Sequence, residues 1–136
     1  MISILKFIWQ LPQNLIALFI LLINCRNYTK EEIEGVKVYF LKYGMFGCGV
    51  SLGNFILLST IYKNPEYRYA LPDTAKHEHG HQIQSLYLGF LYLIVVGIPS
   101  VCNNIWSRIA KKDHKWYYSR YPENWADKLG KVERTY

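Results

Sequence analysis

His77-Glu78-His79-Gly80-His81 sets two imidazoles four residues apart, with a carboxylate beside the first: the pattern HExxH. Residues i and i+4 of a helix lie one turn apart on the same face, so His77 and His81 can converge on one metal ion, for which Zn²⁺ is the natural choice. Glu78 would then reach a metal-bound water and act as its general base. HExxH is short and also occurs on helices whose histidines only face solvent, so the context has to support it. Glu123-Asn124-Trp125-Ala126-Asp127 does so, because Glu123 and Asp127 are again four apart on one helical face. One of these carboxylates can bind the metal while the other accepts an N–H from a ligand histidine and fixes its ring. His114 competes as the third ligand. Glu123 is preferred because it brings Asp127 with it and because helix-borne ligands are easier to hold in position. His79, two steps of roughly 100° from His77, faces away and is read as structural or solvent-facing. Gly80 would let another segment approach the motif helix, at a cost of about 1 kcal/mol against alanine.

These side chains need elements to carry them. Pro72-Asp73-Thr74 predicts a helix start, with Asp73 or Thr74 as cap, running to about Leu88 and stopping at Gly89. Residues 36–43 alternate and are rich in β-branched and aromatic types. Residues 50–62 resume as a second strand, and Gly44, Gly47 and Gly49 punctuate the turn between them. A β-hairpin directly before the HExxH helix is therefore expected. Residues 26–35 read as a polar connector, with Thr29, Glu31 and Glu32 as a possible helix start, and 63–71 as a loop broken by Pro65. Residues 108–114 are basic, 116–121 aromatic, and 122–130 read as a short helix ending at glycine. The fold class that follows is α+β.

At this point the sequence resembles the gluzincin branch of the zincin metallopeptidases. That group carries HExxH on one helix and a glutamate on a later one, often within ExxxD or ExxAD. The matching residues here are His77, Glu78 and His81, then Glu123 with Ala126-Asp127. The resemblance implies a small zincin-like domain in which His77, His81 and Glu123 are the protein ligands of Zn²⁺ and water takes the fourth position. It makes Glu78 the general base and Asp127 the partner of a ligand histidine. It also implies that the strands within 36–62 include the edge that receives an extended peptide substrate. No downstream histidine or tyrosine matches the group's usual stabiliser of the tetrahedral intermediate. His114, Tyr117, Tyr118 and Tyr121 are candidates by type only.

The rest of the chain points to a membrane. Hydrophobic residues make up 51% of the 136 and charged ones only 19%, with 12 tyrosines and 4 tryptophans suited to membrane interfaces. The net charge of +6 favours an anionic partner, and a lipid headgroup surface fits better than nucleic acid, for which no motif is present. Residues 1–24 form an apolar helix, membrane-associated or packed on the domain, and 25–136 form the metallopeptidase-like domain. Within 7–24 there is no charge, but Gln10, Pro12, Gln13 and Asn14 interrupt the first half, so an interfacial helix sinking Trp9 and residues 15–23 into the headgroups competes with a spanning one. No cleavage site follows the run, and Asn24 before Cys25 argues against a lipid-modified cysteine. Residues 85–107 are also uncharged. A single crossing there would part His81 from Glu123 by about 30 Å, so this stretch is expected to be buried or to re-enter, bending near Pro99. Cys25, Cys48 and Cys102 form no pair pattern and read as reduced, small apolar residues. Arg26, Lys30 and Lys37 after the first apolar run, against Lys6 before it, place the catalytic part in the cytoplasm. The function expected is zinc-dependent hydrolysis of peptides or membrane proteins. Two alternatives are a catalytically idle, metal-stabilised membrane binding protein and a membrane-surface protein without metal.

Overall fold

The strands form one mixed sheet in the computed structural model, which describes residues 2–42 and 49–135. They are β1 (Tyr28–Ile33), β2 (Val36–Leu41), β3 (Gly49–Leu52) and β4 (Phe55–Ser59), in spatial order β1-β2-β4-β3. β1 and β2 form a tight antiparallel hairpin with Ile33 opposite Val36. Its two loop residues, Glu34 and Gly35, both have positive φ (53° and 76°), the backbone twist that two-residue hairpins favour. β3 and β4 form a second hairpin through Gly53-Asn54, with Gly53 at φ 62°. β2 and β4 pair in parallel at the centre.

Two sequence expectations fail here. The expected connector at 26–35 contains β1, a strand whose side chains are almost all exposed and which therefore carries no apolar alternation. The expected single strand at 50–62 is two strands and a short 3-10 turn (Thr60–Lys63), so the hairpin before the motif helix is β3–β4, and 36–43 meets 50–62 only through the parallel β2–β4 pairing. The expected turn at Gly44 and Gly47, with Tyr43 and Cys48, lies outside the described residues.

Both faces of the central strands are covered. Val38, Phe40, Ile56 and Leu58 point to one side and pack with Tyr62, Leu71 and Ala75, the last two on the motif helix. Leu41, Leu52 and Leu57 point to the other side, against Ala17 and Leu21 of the N-terminal segment. Period-two alternation thus sends successive residues into two different cores, and β4 reads as an unbroken apolar run.

The helices are α1 (Ile2–Trp9), α2 (Leu11–Ile23), α3 (Leu71–Leu88), α4 (Ile98–Ile109), α5 (His114–Tyr118) and α6 (Glu123–Gly130). The N-terminal segment is two helices bent by 94°, not one. Among the described residues no single helix is long and apolar enough to cross a membrane, and only the bent pair taken together has that length and composition. α3 ends at Gly89 (φ 54°), as its sequence predicts. Neither Asp73 nor Thr74 caps its start, however. Ala70 occupies the cap position, and Thr74 donates its hydroxyl back to the Ala70 carbonyl at 2.9 Å. The uncharged stretch 85–107 breaks at Gly89 rather than near Pro99. Pro99 sits within helix that is continuous over Leu93–Ile109, and the Val95 carbonyl that its missing N–H leaves open accepts from the Tyr121 hydroxyl instead. The stretch is only partly buried: Ser85, Tyr92 and Val96 face inward, while Ile94, Ile98, Val101, Ile105 and Trp106 are exposed. Cys25 and Cys102 are likewise exposed, against the expectation of small apolar residues packed inside.

Candidate metal centre

α3 and α6 cross at two glycines. A Cβ on Gly80 would lie 1.9 Å from the Ala126 carbonyl oxygen, and one on Gly130 would lie 2.0 Å from that of Lys76. The two backbones are therefore in direct contact, which brings the ligand-bearing turns of both helices to one point. His77 and His81 present their Nε2 atoms to the same oxygen of Glu123, Oε2, each at 3.0 Å. The three side chains are buried, with donor atoms within 4.8 Å of one another, and could hold a metal ion.

Each imidazole is oriented from behind. His77 Nδ1 donates to Asp127 Oδ1 at 2.7 Å, and His81 Nδ1 donates to Gln84 Oε1 at 2.7 Å. With Nδ1–H engaged, Nε2 is the nitrogen left for a ligand. These outer partners are themselves fixed. Gln84 Nε2 donates to the Pro122 carbonyl at 3.1 Å, tying α3 to the start of α6. Arg134 donates twice to Asp127, through Nε to Oδ2 and Nη2 to Oδ1, both at 2.9 Å. Its guanidinium also lies 3.6 Å from the centre of the Tyr118 ring, whose edge-to-face partner is His77 at 5.1 Å. Ser100, on α4, donates to Glu123 Oε1 at 2.5 Å and so holds the carboxylate with Oε2 toward the histidines.

The electrostatics follow from that crowding. Burial alone would lower the His77 pKa, but hydrogen bonds to Asp127 and Glu123 outweigh it and raise it from 6.5 to about 9. Burial would raise both acids, and the same bonds win there too: His77 and His81 hold Glu123 far below its usual value, and His77 and Arg134 lower Asp127. Glu78 goes the other way. Its burial pushes the pKa up against the opposing pull of His81 and His77. One of its oxygens, Oε2, is buried without a hydrogen-bond partner.

His77, Glu78, His81 and Glu123 line a cleft of about 740 Å³ shared with residues of the edge strand β3, α4 and α5. Gly49 lets β3 pass close to Glu78, whose Oε1 would be 3.0 Å from a Cβ at that position. Tyr117, Tyr118 and His114 line the cleft, and His114 stacks on Tyr118 at 6.2 Å rather than joining the cluster. Tyr121 is turned away, donating its hydroxyl to the Val95 carbonyl at 2.6 Å. Ser100, Gln84 and Arg134 were not singled out from the sequence. Only Gln84 left a signal, three residues after His81 on the same helix face. No protein-family model, curated protein or solved structure matches this chain.

Proposed function

We propose that this protein is a zinc-dependent metallopeptidase. The observation that carries the reading is Glu78, a buried carboxylate with an unpartnered oxygen, lining an open cleft beside two histidines and a glutamate that could share a metal. Two imidazole nitrogens and one carboxylate oxygen are the donor set of a catalytic zinc site with one position left open. Ligand distances near 2.0–2.1 Å put tetrahedral donor atoms roughly 3.3 Å apart. The two 3.0 Å separations seen here would widen only slightly to take zinc.

When bound, zinc would supply an acidified water and a polarised scissile carbonyl. Glu78 would take the water's proton and return it to the leaving amine. Its raised pKa suits that exchange, because it brings the carboxyl toward the working range of a general base. β3 is a sheet edge on the cleft wall, so an extended peptide can add to it as a further strand and lie across Glu78. Tyr117 and Tyr118 are both kept protonated by burial, Tyr118 with its pKa raised to about 12, and remain O–H donors for a developing oxyanion.

The test is metal content by mass spectrometry on the full chain, wild type beside Glu123→Ala, followed by cleavage of a peptide library by wild type and Glu78→Gln. Zinc at about one per chain, lost in Glu123→Ala, is expected. Glu78→Gln should keep zinc and cut nothing. Full cleavage by Glu78→Gln would remove that residue from the role. Bound zinc with no cleavage by wild type would favour a metal-stabilised binding protein.

A further inference from the structure

The N-terminal helices are packed inside out. On α2 the polar residues Gln13 and Asn14 are fully buried, while Leu15, Phe19, Leu22 and Ile23 are exposed, Leu22 by 69%. The domain supplies partners for most of the inward-facing amide atoms, Gln13 Oε1 being buried without one. Gln13 Nε2 donates to Ser85 Oγ and to the Gly89 carbonyl, both at 2.9 Å, and Asn14 Oδ1 accepts from the Asn54 backbone at 2.8 Å. α4 repeats the pattern. Ser100 and Asn103 turn inward, to Glu123 and the Tyr121 carbonyl, while Ile98, Val101, Ile105 and Ile109 form an outward stripe at helical spacing. A helix dissolved in water keeps the opposite order.

The two apolar faces join. Trp9, at the elbow between α1 and α2, donates to the Leu86 carbonyl at 2.8 Å and meets Phe90 edge to face at 5.8 Å. Outside residues 4–23 and 87–109, the exposed large apolar side chains among the described residues are Ile61 and a few tyrosines. The combined patch carries Lys6 as its sole charge before Arg108, apart from the intervening domain. Arg26, Arg108, Lys111 and Lys112 follow the two apolar stretches closely in sequence, the last three lining the cleft.

We propose that the outer faces of α1, α2 and the Leu93–Ile109 segment form a seat in one leaflet of an anionic lipid bilayer. The 94° bend divides the apolar N-terminal pair into arms of 8 and 13 residues, each shorter than the bilayer's hydrocarbon core, which suits helices that lie in the interface. The net charge of +6 favours an anionic lipid surface over a second copy of the chain, since two like-charged copies repel while anionic headgroups attract. This reading does not depend on peptidase activity.

The experiment uses the full chain and vesicles of phosphatidylcholine with and without phosphatidylglycerol. Partition is read by flotation, and depth by quenching with lipids brominated at shallow or deep acyl positions. Variants retaining only Trp9 or only Trp106 should be quenched, most by shallow bromines, while a variant retaining only Trp125 is not. The double variant Phe19→Asp/Leu22→Asp, and separately Ile105→Asp, should weaken partition at least tenfold while leaving zinc content unchanged. Binding should be tighter to the anionic vesicles. Three results would overturn the proposal: quenching of Trp9 and Trp106 no greater than that of Trp125, strongest quenching by the deepest bromines, or a discrete dimer in buffer that the aspartate variants split without any vesicle binding in wild type.

Discussion

Replacing Gly80 by alanine sets two physical effects against each other. By helix propensity the change should help, since alanine in a helix interior is favoured over glycine by about 1 kcal/mol. By packing it should harm. The new Cβ would meet the Ala126 carbonyl at 1.9 Å for oxygen and 2.6 Å for carbon, both backbone atoms that cannot swing away. Restoring an ordinary contact of 3.4 Å requires α3 and α6 to part by about 1.5 Å along that line. Overpacking of this kind costs about 1–3 kcal/mol, so the net effect on stability is a modest loss. The metal site should suffer more. His77 and His81 sit on α3 and Glu123 on α6, and metal–ligand distances tolerate only about 0.2 Å. Zinc affinity, measured by competition with a chromogenic chelator, should fall by at least the ~10–100-fold that loss of an outer hydrogen-bond partner costs. Thermal melting of the metal-free protein should fall by a few degrees. Zinc affinity equal to wild type together with an unchanged or raised melting temperature would refute the argument, because it would mean that the helices do not depend on glycine for their approach.

Asp127→Asn should weaken zinc binding by about 10–100-fold, and Arg134→Gln should do so by less, because it releases Asp127 without removing it. Equal affinity in both variants, measured by the same chelator competition, would dismiss the chain of contacts behind His77. The pH dependence of the metal-free protein follows from His77. Its pKa is raised on folding, so the stability it contributes is fully present below pH 6.5 and is lost as pH rises through about 9. The lowered pKa values of Glu123 and Asp127 contribute stability above the usual carboxylate range that disappears in acid. Melting temperatures in chelator should therefore decline across the alkaline window, while zinc affinity rises over the same window as the competing proton leaves. A flat melting profile would count against a protonated His77. Ser100→Ala should leave the fold intact and reduce zinc affinity severalfold by freeing the Glu123 carboxylate to rotate, and titration with zinc decides it.

The clustering of His77, His81, Glu123 and Asp127 was more legible in the sequence than the sheet. His77, His81, Glu123 and Asp127 could be placed because helical spacing of four is a local rule, and Pro72 and Gly89 bracket the motif helix at nearly its true length. The strands obey no such local rule here. β1 has almost no buried face, so Lys30, Glu31 and Glu32 look like a connector. β4 has two buried faces, and its continuous run hid the Gly53-Asn54 turn that separates it from β3, although Gly-Asn between apolar runs is a recognised hairpin signal. The parallel pairing of β2 with β4 depends on long-range packing that spacing does not encode. Gln10, Gln13 and Asn14 read as interruptions of an apolar run, when they are its inward-facing side. Arg134 lies beyond the last helix with no periodicity to mark it, and only the folded tail brings it to Asp127.

The buried amides at the elbow also bear on how the chain reaches its native state. Gln10 accepts from Ser85 Oγ at 2.7 Å and donates to Asn54 Oδ1 at 3.1 Å, while Gln13 and Asn14 bond to α3, Gly89 and the β3–β4 turn. All of those partners come from residues synthesised after the N-terminal helices. Gln10 Nε2 and Asn14 Nδ2 have partners within the segment, the Lys6 and Phe7 carbonyls, but until the later residues arrive the Gln13 amide and the side-chain oxygens of Gln10 and Asn14 go unmet, which lipid penalises. Residues 2–23 are thus not an interchangeable anchor but a cooperative layer of the domain, ordered only when the rest of the molecule is. Grafted onto an unrelated soluble reporter, they should bind vesicles more weakly than the full chain and show less helix by circular dichroism. Equal affinity and full helicity in the graft would show that the segment needs no domain beneath it.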